Sequence, residues 1–141
     1  MKTLPEHGSC FVCGKANSDG MGVTWTADEN GCVVANMTLT QAQQGPPGYA
    51  HGGASAALLD EAMGMAAWLA GYRVVSVHLE VDYLKPVPLG QSARVVGRMV
   101  AKTDNRVQTE GEILLADGVV AVTGRGVYVE APQLLVRFLR R

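Results

Sequence analysis

Apolar and polar positions alternate through MGVTWTAD (residues 21–28) and CVVANMTL (32–39), on either side of the turn residues Glu29, Asn30 and Gly31. This pattern predicts a β-hairpin. QAQQGPPGYA (41–50) follows, and its two prolines and two glycines exclude a regular element. From Gly52 to Ala70 the chain is rich in Ala, Leu and Met with a helical pattern, and Gly71 supplies a C-terminal stop. Four β-prone runs come next, at 74–84, 92–102, 106–116 and 119–130, separated by KPVPLG, TDN and DG. Two strands, one long helix and four strands with short connections define an α+β chain, with an antiparallel sheet of five to six strands packed on one helix. Residues 1–20 read as an irregular leader, and residues 134–141 as a last helical turn or a frayed end.

Composition narrows the picture modestly. A chain of 141 residues, 48% of them hydrophobic, holds one domain over residues 1–141 with a substantial core. A formal net charge of −1 gives no electrostatic reason to expect a nucleic-acid or membrane partner. The longest apolar candidate, residues 51–71, contains Asp60, Glu61 and four glycines, so it does not read as a bilayer span. Three cysteines and an N-terminus without a signal-peptide pattern favour the cytoplasm.

The chemistry concentrates in the helix. At about 100° per residue, Asp60 shares its face with Gly53, Ala56, Ala57, Gly64, Ala67 and Gly71, while Leu58, Met65 and Leu69 lie opposite. The middle of a small-residue stripe is a poor place for an unpaired charge. Either Asp60 is solvated or paired across an interface, or the stripe leaves room for a ligand beside a partly desolvated carboxylate. Glu61 sits roughly 100° around the helix and reads as a flank or interface carboxylate. His51 and Gly52 open the helix, where free N–H groups and the positive end of the macrodipole suit developing negative charge. An oxyanion site there and an acid two turns further along form a workable acyl-transfer pair.

GPPGYAHGGASAALLDEAMG and SVHLEVDYLKPVPLG together resemble the hotdog-fold thioesterases of the phenylacetic-acid-degradation type, and CFVCGKANSDGMGV is similar to the Cys-x-x-Cys-Gly leader of a subset of that family. The resemblance covers most of the chain from Cys10 to Gly90. It implies a helix wrapped by an antiparallel sheet and a homodimer, possible as a dimer of dimers, with active sites between subunits. It also implies hydrolysis of an acyl-CoA without any cofactor. Carried over by position, Asp60 is the nucleophile or general base, the Gly52 N–H polarises the thioester carbonyl and His51 shapes the turn. Ser76 falls where relatives use a Ser or Thr from the partner subunit. Relatives often have Asn or Gln six residues before the histidine; here that position is Gly45, and Gln44 lies one further upstream.

Substrate contacts are expected from Gln44, Gly53 and Glu61, and from Arg125 in TGRG, where the flanking glycines permit close approach. His78, two residues from Ser76 on one strand face, reads as a seam histidine. Cys10 and Cys13 have zinc-like spacing, with His7 and Cys32 nominally available. A second closely spaced pair is missing and Cys32 sits in a strand pattern, so the pair is read as packed thiols in a leader covering the pocket, with no metal. Two alternatives remain: a hotdog hydratase or dehydratase using His51 or His78, and a non-catalytic acyl-CoA-binding module.

Overall fold

The computed structural model describes residues 1–131. The terminal turn expected at 134–141 lies outside them. Helix α1 spans Gly52–Leu69, and the long strands are β3 (Val33–Thr38), β4 (Val74–Tyr83), β5 (Ser92–Thr103), β6 (Arg106–Leu114) and β7 (Val120–Glu130). Two short strands, β1 (Lys2–Thr3) and β2 (Thr26–Ala27), complete an antiparallel sheet of order β1-β2-β3-β5-β6-β7-β4. The helix ends where expected: Gly71 adopts φ +99°, and the Tyr72 N–H donates to Ala67 O at 3.0 Å.

The eight-residue strand expected at 21–28 is reduced to Thr26–Ala27. The residues before it hydrogen-bond to the leader instead: Met21 N–H to Phe11 O, Val23 N–H to Val12 O, and Leu4 N–H to Trp25 O. The leader is therefore hydrogen-bonded into the fold and contributes a strand.

Helix and sheet approach each other closely because of three glycines. Gly97 on β5 pairs with Gly111 on β6, which pairs with Gly124 on β7. These positions form one cross-strand row beneath α1. A Cβ on Gly97 would lie 2.5 Å from the Ala62 carbonyl carbon and oxygen, and one on Gly124 3.2 Å from Leu59 Cδ1. Leu58, Leu59, Ala62 and Met63 are thereby buried against the sheet, with Val33, Val95, Val107 and Val122 around them. Since backbone cannot swing aside as a side chain does, Gly97→Ala should destabilise the fold by about 3 kcal/mol. Urea denaturation of the variant beside wild type measures this.

The other face of the sheet carries a band of charged residues. Arg98, Glu110, Arg125 and Glu80 are paired in successive strands β5, β6, β7 and β4, a row of alternating charge. Arg98 Nε lies 2.8 Å from Glu110 Oε1.

Candidate active site

Ala57, Asp60 and Gly64 line one side of a cleft of about 450 Å³. The small-residue stripe thus faces space at its centre. Val74, Val75 and Ser76 from the start of β4, Tyr128 from β7, and His7, Cys10, Phe11 and Val12 from the leader form the remaining walls with Glu61, Met65 and Trp68.

Asp60 is held by Tyr128, whose hydroxyl donates to Asp60 Oδ1 at 2.8 Å and lies 2.6 Å from the Asp60 carbonyl oxygen. Burial, reinforced by the Asp60 charge, pushes the phenol well above its ordinary range, so Tyr128 stays a donor. Gly64 makes room for the ring; a Cβ there would lie 3.3 Å from Tyr128 Cε1. Tyr128 escaped the sequence reading because its position opposite the helix depends on strand register. The one available signal is its alternation with Gly124 and Gly126, four and two residues before it and on the same face. Tyr128→Phe should keep the fold and lower kcat about tenfold through loss of one hydrogen bond to a charged group, read by steady-state kinetics.

A bulge in β4 separates two residues that simple alternation puts on one face. Ser76 pairs with Tyr128, but His78 pairs with Val127, with the register shifting between them. Ser76 therefore lines the cleft, while His78 lies on the outer face with Glu80, its Nε2 3.2 Å from Glu80 Oε1. Arg125 is likewise on the outer face, exposed and in register between Glu80 and Glu110. It does not line the Asp60 cleft, because its neighbours Gly124 and Gly126 face inward, where a Cβ would meet Leu59, Met63 and Tyr128.

At the head of the helix His51 is the N-cap, and its Nδ1 accepts the Gly53 N–H at 2.8 Å. Gly53 is thus engaged in the cap, and the Gly52 N–H has no acceptor among the described residues. Tyr83 donates its hydroxyl to Gly52 O at 2.7 Å, a further contact that sequence reasoning did not find. Gln44 Oε1 accepts the Gly48 N–H at 3.1 Å, which ties it to its own turn. Gly45 is glycine for a local reason: a Cβ there would lie 2.8 Å from His51 Cα.

Within one chain, Gly52 and Asp60 do not form the pair expected of them. Eight helical residues separate them by about 12 Å. A carbonyl oxygen about 3 Å from its donor leaves its carbon far from that carboxylate, even though side chains lean toward the helix N-terminus.

Glu61 is fixed by a separate set of partners. Trp25 Nε1 donates to its Oε2 at 2.6 Å, Cys10 Sγ donates to its Oε1 at 2.8 Å, and His7 Nδ1 lies 3.7 Å from Oε1. Burial works to raise this carboxyl, but His7, Cys10 and Trp25 outweigh it and hold the pKa below its ordinary value. Pairing with Glu61 raises His7 despite partial burial, and burial pushes the Cys13 thiol up to about 12. Cys13 Sγ lies 3.3 Å from His7 Nδ1. Cys10 and Cys13 are free thiols packed in the leader that walls the cleft, as expected, and with His7 and Glu61 they also form a set of four potential ligands, their ligand atoms all within 4.8 Å of one another. Cys32 is elsewhere, in the turn between β2 and β3, its N–H bonded to Asp28.

A helix wrapped by an antiparallel sheet, with a carboxylate in a cleft on its small-residue face, defines a class of protein. The thioesterase superfamily model matches residues 47–122, more than half of the chain. The chain belongs to this superfamily. It is 30% identical over 122 residues to an acyl-coenzyme A thioesterase, THEM4, of Bos taurus, covering 84% of this chain and 48% of that one. It thus spans about half the length of that curated relative. The crystal structure of a thioesterase superfamily protein superposes with a TM-score of 0.82 at 34% identity, covering 85% of this chain and 62% of that one. The PaaI protein of the E. coli phenylacetic acid degradation operon shares the fold, with a TM-score of 0.72 at 21% identity over 78% and 80% of the two chains. The fold is the hotdog fold, with seven strands rather than the expected five to six.

Proposed function

We propose that the protein hydrolyses acyl-CoA thioesters to the free acid and CoA, with Asp60 of one chain and the Gly52 N–H of a second copy acting on the same carbonyl. The observation that carries this reading is the placement of Asp60: a carboxylate anchored by one hydroxyl, between Ala57 and Gly64 on the helix wall of a cleft. The naming of the Bos taurus relative as an acyl-coenzyme A thioesterase supports the substrate class.

In this mechanism Tyr128 holds Oδ1, and the other carboxylate oxygen takes a proton from water as the water oxygen bonds to the carbonyl carbon. Direct attack by Asp60, followed by hydrolysis of the resulting anhydride, is the nucleophilic variant. In either case negative charge gathers on the carbonyl oxygen, where a helix-terminal N–H stabilises it. Collapse breaks the C–S bond, and the CoA thiolate leaves and takes up a proton. A thiolate leaves readily, so these groups suffice for the chemistry. In this reading Ser76, which pairs with Tyr128 and lines the cleft, positions the water or the carboxylate in its own chain's site rather than in the partner's.

The second copy follows from the distance between Gly52 and Asp60 along one helix. β4 is the outer strand of the sheet and exposes Val77, Leu79 and Tyr83, so an antiparallel homodimer that continues the sheet across β4 is the assembly in this proposal. A dimer of dimers would use further surface. The three cysteines are free thiols, in keeping with a cytoplasmic setting. No described helix is long and apolar enough to cross a membrane.

A thiol-release screen over short, long and aryl acyl-CoAs tests the reading. Turnover of at least one class is expected, and saturable binding of CoA esters without thiol release would favour a binding module instead. The hydratase alternative needs His51 or His78 of a second copy beside Asp60, because neither lines the Asp60 cleft within one chain. Crotonyl-CoA hydration in the same screen separates it.

A further inference from the structure

We propose that His7 Nδ1, Cys10 Sγ, Cys13 Sγ and Glu61 Oε1 form a tetrahedral site for a zinc-class divalent cation, which ties the leader to helix α1 and fixes one wall of the Asp60 cleft. Four-coordinate zinc with bonds of about 2.0–2.3 Å has ligand-to-ligand edges of about 3.3–3.8 Å. Cys13 Sγ to His7 Nδ1 is 3.3 Å and His7 Nδ1 to Glu61 Oε1 is 3.7 Å, so two edges already have this length. The Cys10 to Glu61 edge is shorter, 2.8 Å, because the thiol proton bridges it; a cation would take the proton's place. Two sulfurs, an imidazole nitrogen and a carboxylate oxygen are a donor set suited to zinc.

The surroundings of the four atoms suit a metal centre as well. The Val12 N–H points at Cys10 Sγ (3.4 Å) and the His7 N–H at Cys13 Sγ (3.3 Å), backbone donors able to stabilise thiolate charge. Trp25 occupies Glu61 Oε2 and leaves Oε1 toward the cluster, an outer partner of the kind that orients metal ligands. Gly14 closes the Cys-x-x-Cys turn, where a Cβ would fall 2.2 Å from Cys10 N. Four protein ligands leave no open position, so the cation's role is structural. On binding, the thiols and any protonated imidazole release their protons to solvent. His7, Cys10 and Glu61 all line the cleft, so the tie bears directly on the shape of its wall.

The test uses the full chain, incubated with zinc under reducing conditions, freed of excess metal and assayed by elemental analysis, with cobalt substituted in parallel. About one cation per chain is expected, with sulfur-to-cobalt charge transfer and the strong visible bands of a tetrahedral site. Cys10→Ser/Cys13→Ser should lose the metal, Glu61→Gln should bind it at least about tenfold more weakly, and Cys32→Ser should retain it. Absence of stoichiometric metal in wild type would overturn the proposal. So would retention by the double-serine variant, or a Cys10–Cys13 disulfide as the form that persists in reductant. Because the wild-type cobalt spectrum reports the ligand set, a poorly folding variant does not blunt the test. None of these readouts depends on thioester hydrolysis.

Discussion

Asp60→Asn lowers acyl-CoA hydrolysis roughly 10²- to 10⁴-fold, the range for loss of a general base, and leaves thermal unfolding close to wild type. The two outcomes separate because the amide keeps one function of the carboxylate and loses the other. Its oxygen still accepts the Tyr128 hydroxyl now bonded to Oδ1 at 2.8 Å. Its NH₂ end can neither take a proton from water nor attack a carbonyl. Thiol release and a melting curve on the same preparation check both. Near-normal hydrolysis by the variant would remove Asp60 from the mechanism.

Gly52→Pro lowers the rate about 10²- to 10³-fold, the cost of one oxyanion donor. Proline is well tolerated as the first residue of a helix and deletes only an N–H without an intrahelical partner. His51, at φ −63° and ψ 138°, already has a backbone suited to precede proline. The added Cβ would lie 3.2 Å from the Tyr83 ring, which must shift by a few tenths of an ångström. Gly52→Ala adds the same Cβ and keeps the N–H, so its rate should stay near wild type. Mixed chains then reveal the assembly. If each site combines Asp60 of one subunit with Gly52 of the other, randomly paired Asp60→Asn and Gly52→Pro chains recover about a quarter of wild-type activity, since half the dimers contain one intact site. If each site lies within one chain, they recover none.

The sequence alone located α1 to within one residue and the long strands to within two, because each carries an uninterrupted period bounded by Gly, Pro or Asp-rich turns. It also placed Asp60 on a small-residue face. The features it missed depend on register or on long-range contact. Val77 is an extra residue in β4, and no alternation pattern distinguishes a bulge from a continuous strand, so His78 was put on the face of Ser76. Tyr128 meets Asp60 across 68 residues, and Cys10 meets Glu61 across 51. Spacing rules treat such residues as unrelated. Cys32, nominally a ligand by residue type, is set aside by its strand pattern, and that the leader folds onto Glu61 of the helix is not visible in spacing. Segment 21–25 alternates as a strand should, yet its hydrogen bonds go to the leader, which composition had marked as irregular.

The cross-strand glycines Gly97, Gly111 and Gly124 have a consequence for reading mutational tolerance. A saturation survey scored by cell growth would mark them as being as irreplaceable as any reactive group, although they touch no substrate and transfer no proton. Their intolerance would reflect the thickness of the gap between two backbones. Separating them from the chemistry requires scoring abundance beside turnover: the glycine variants should vanish from both, and Asp60 variants from turnover alone.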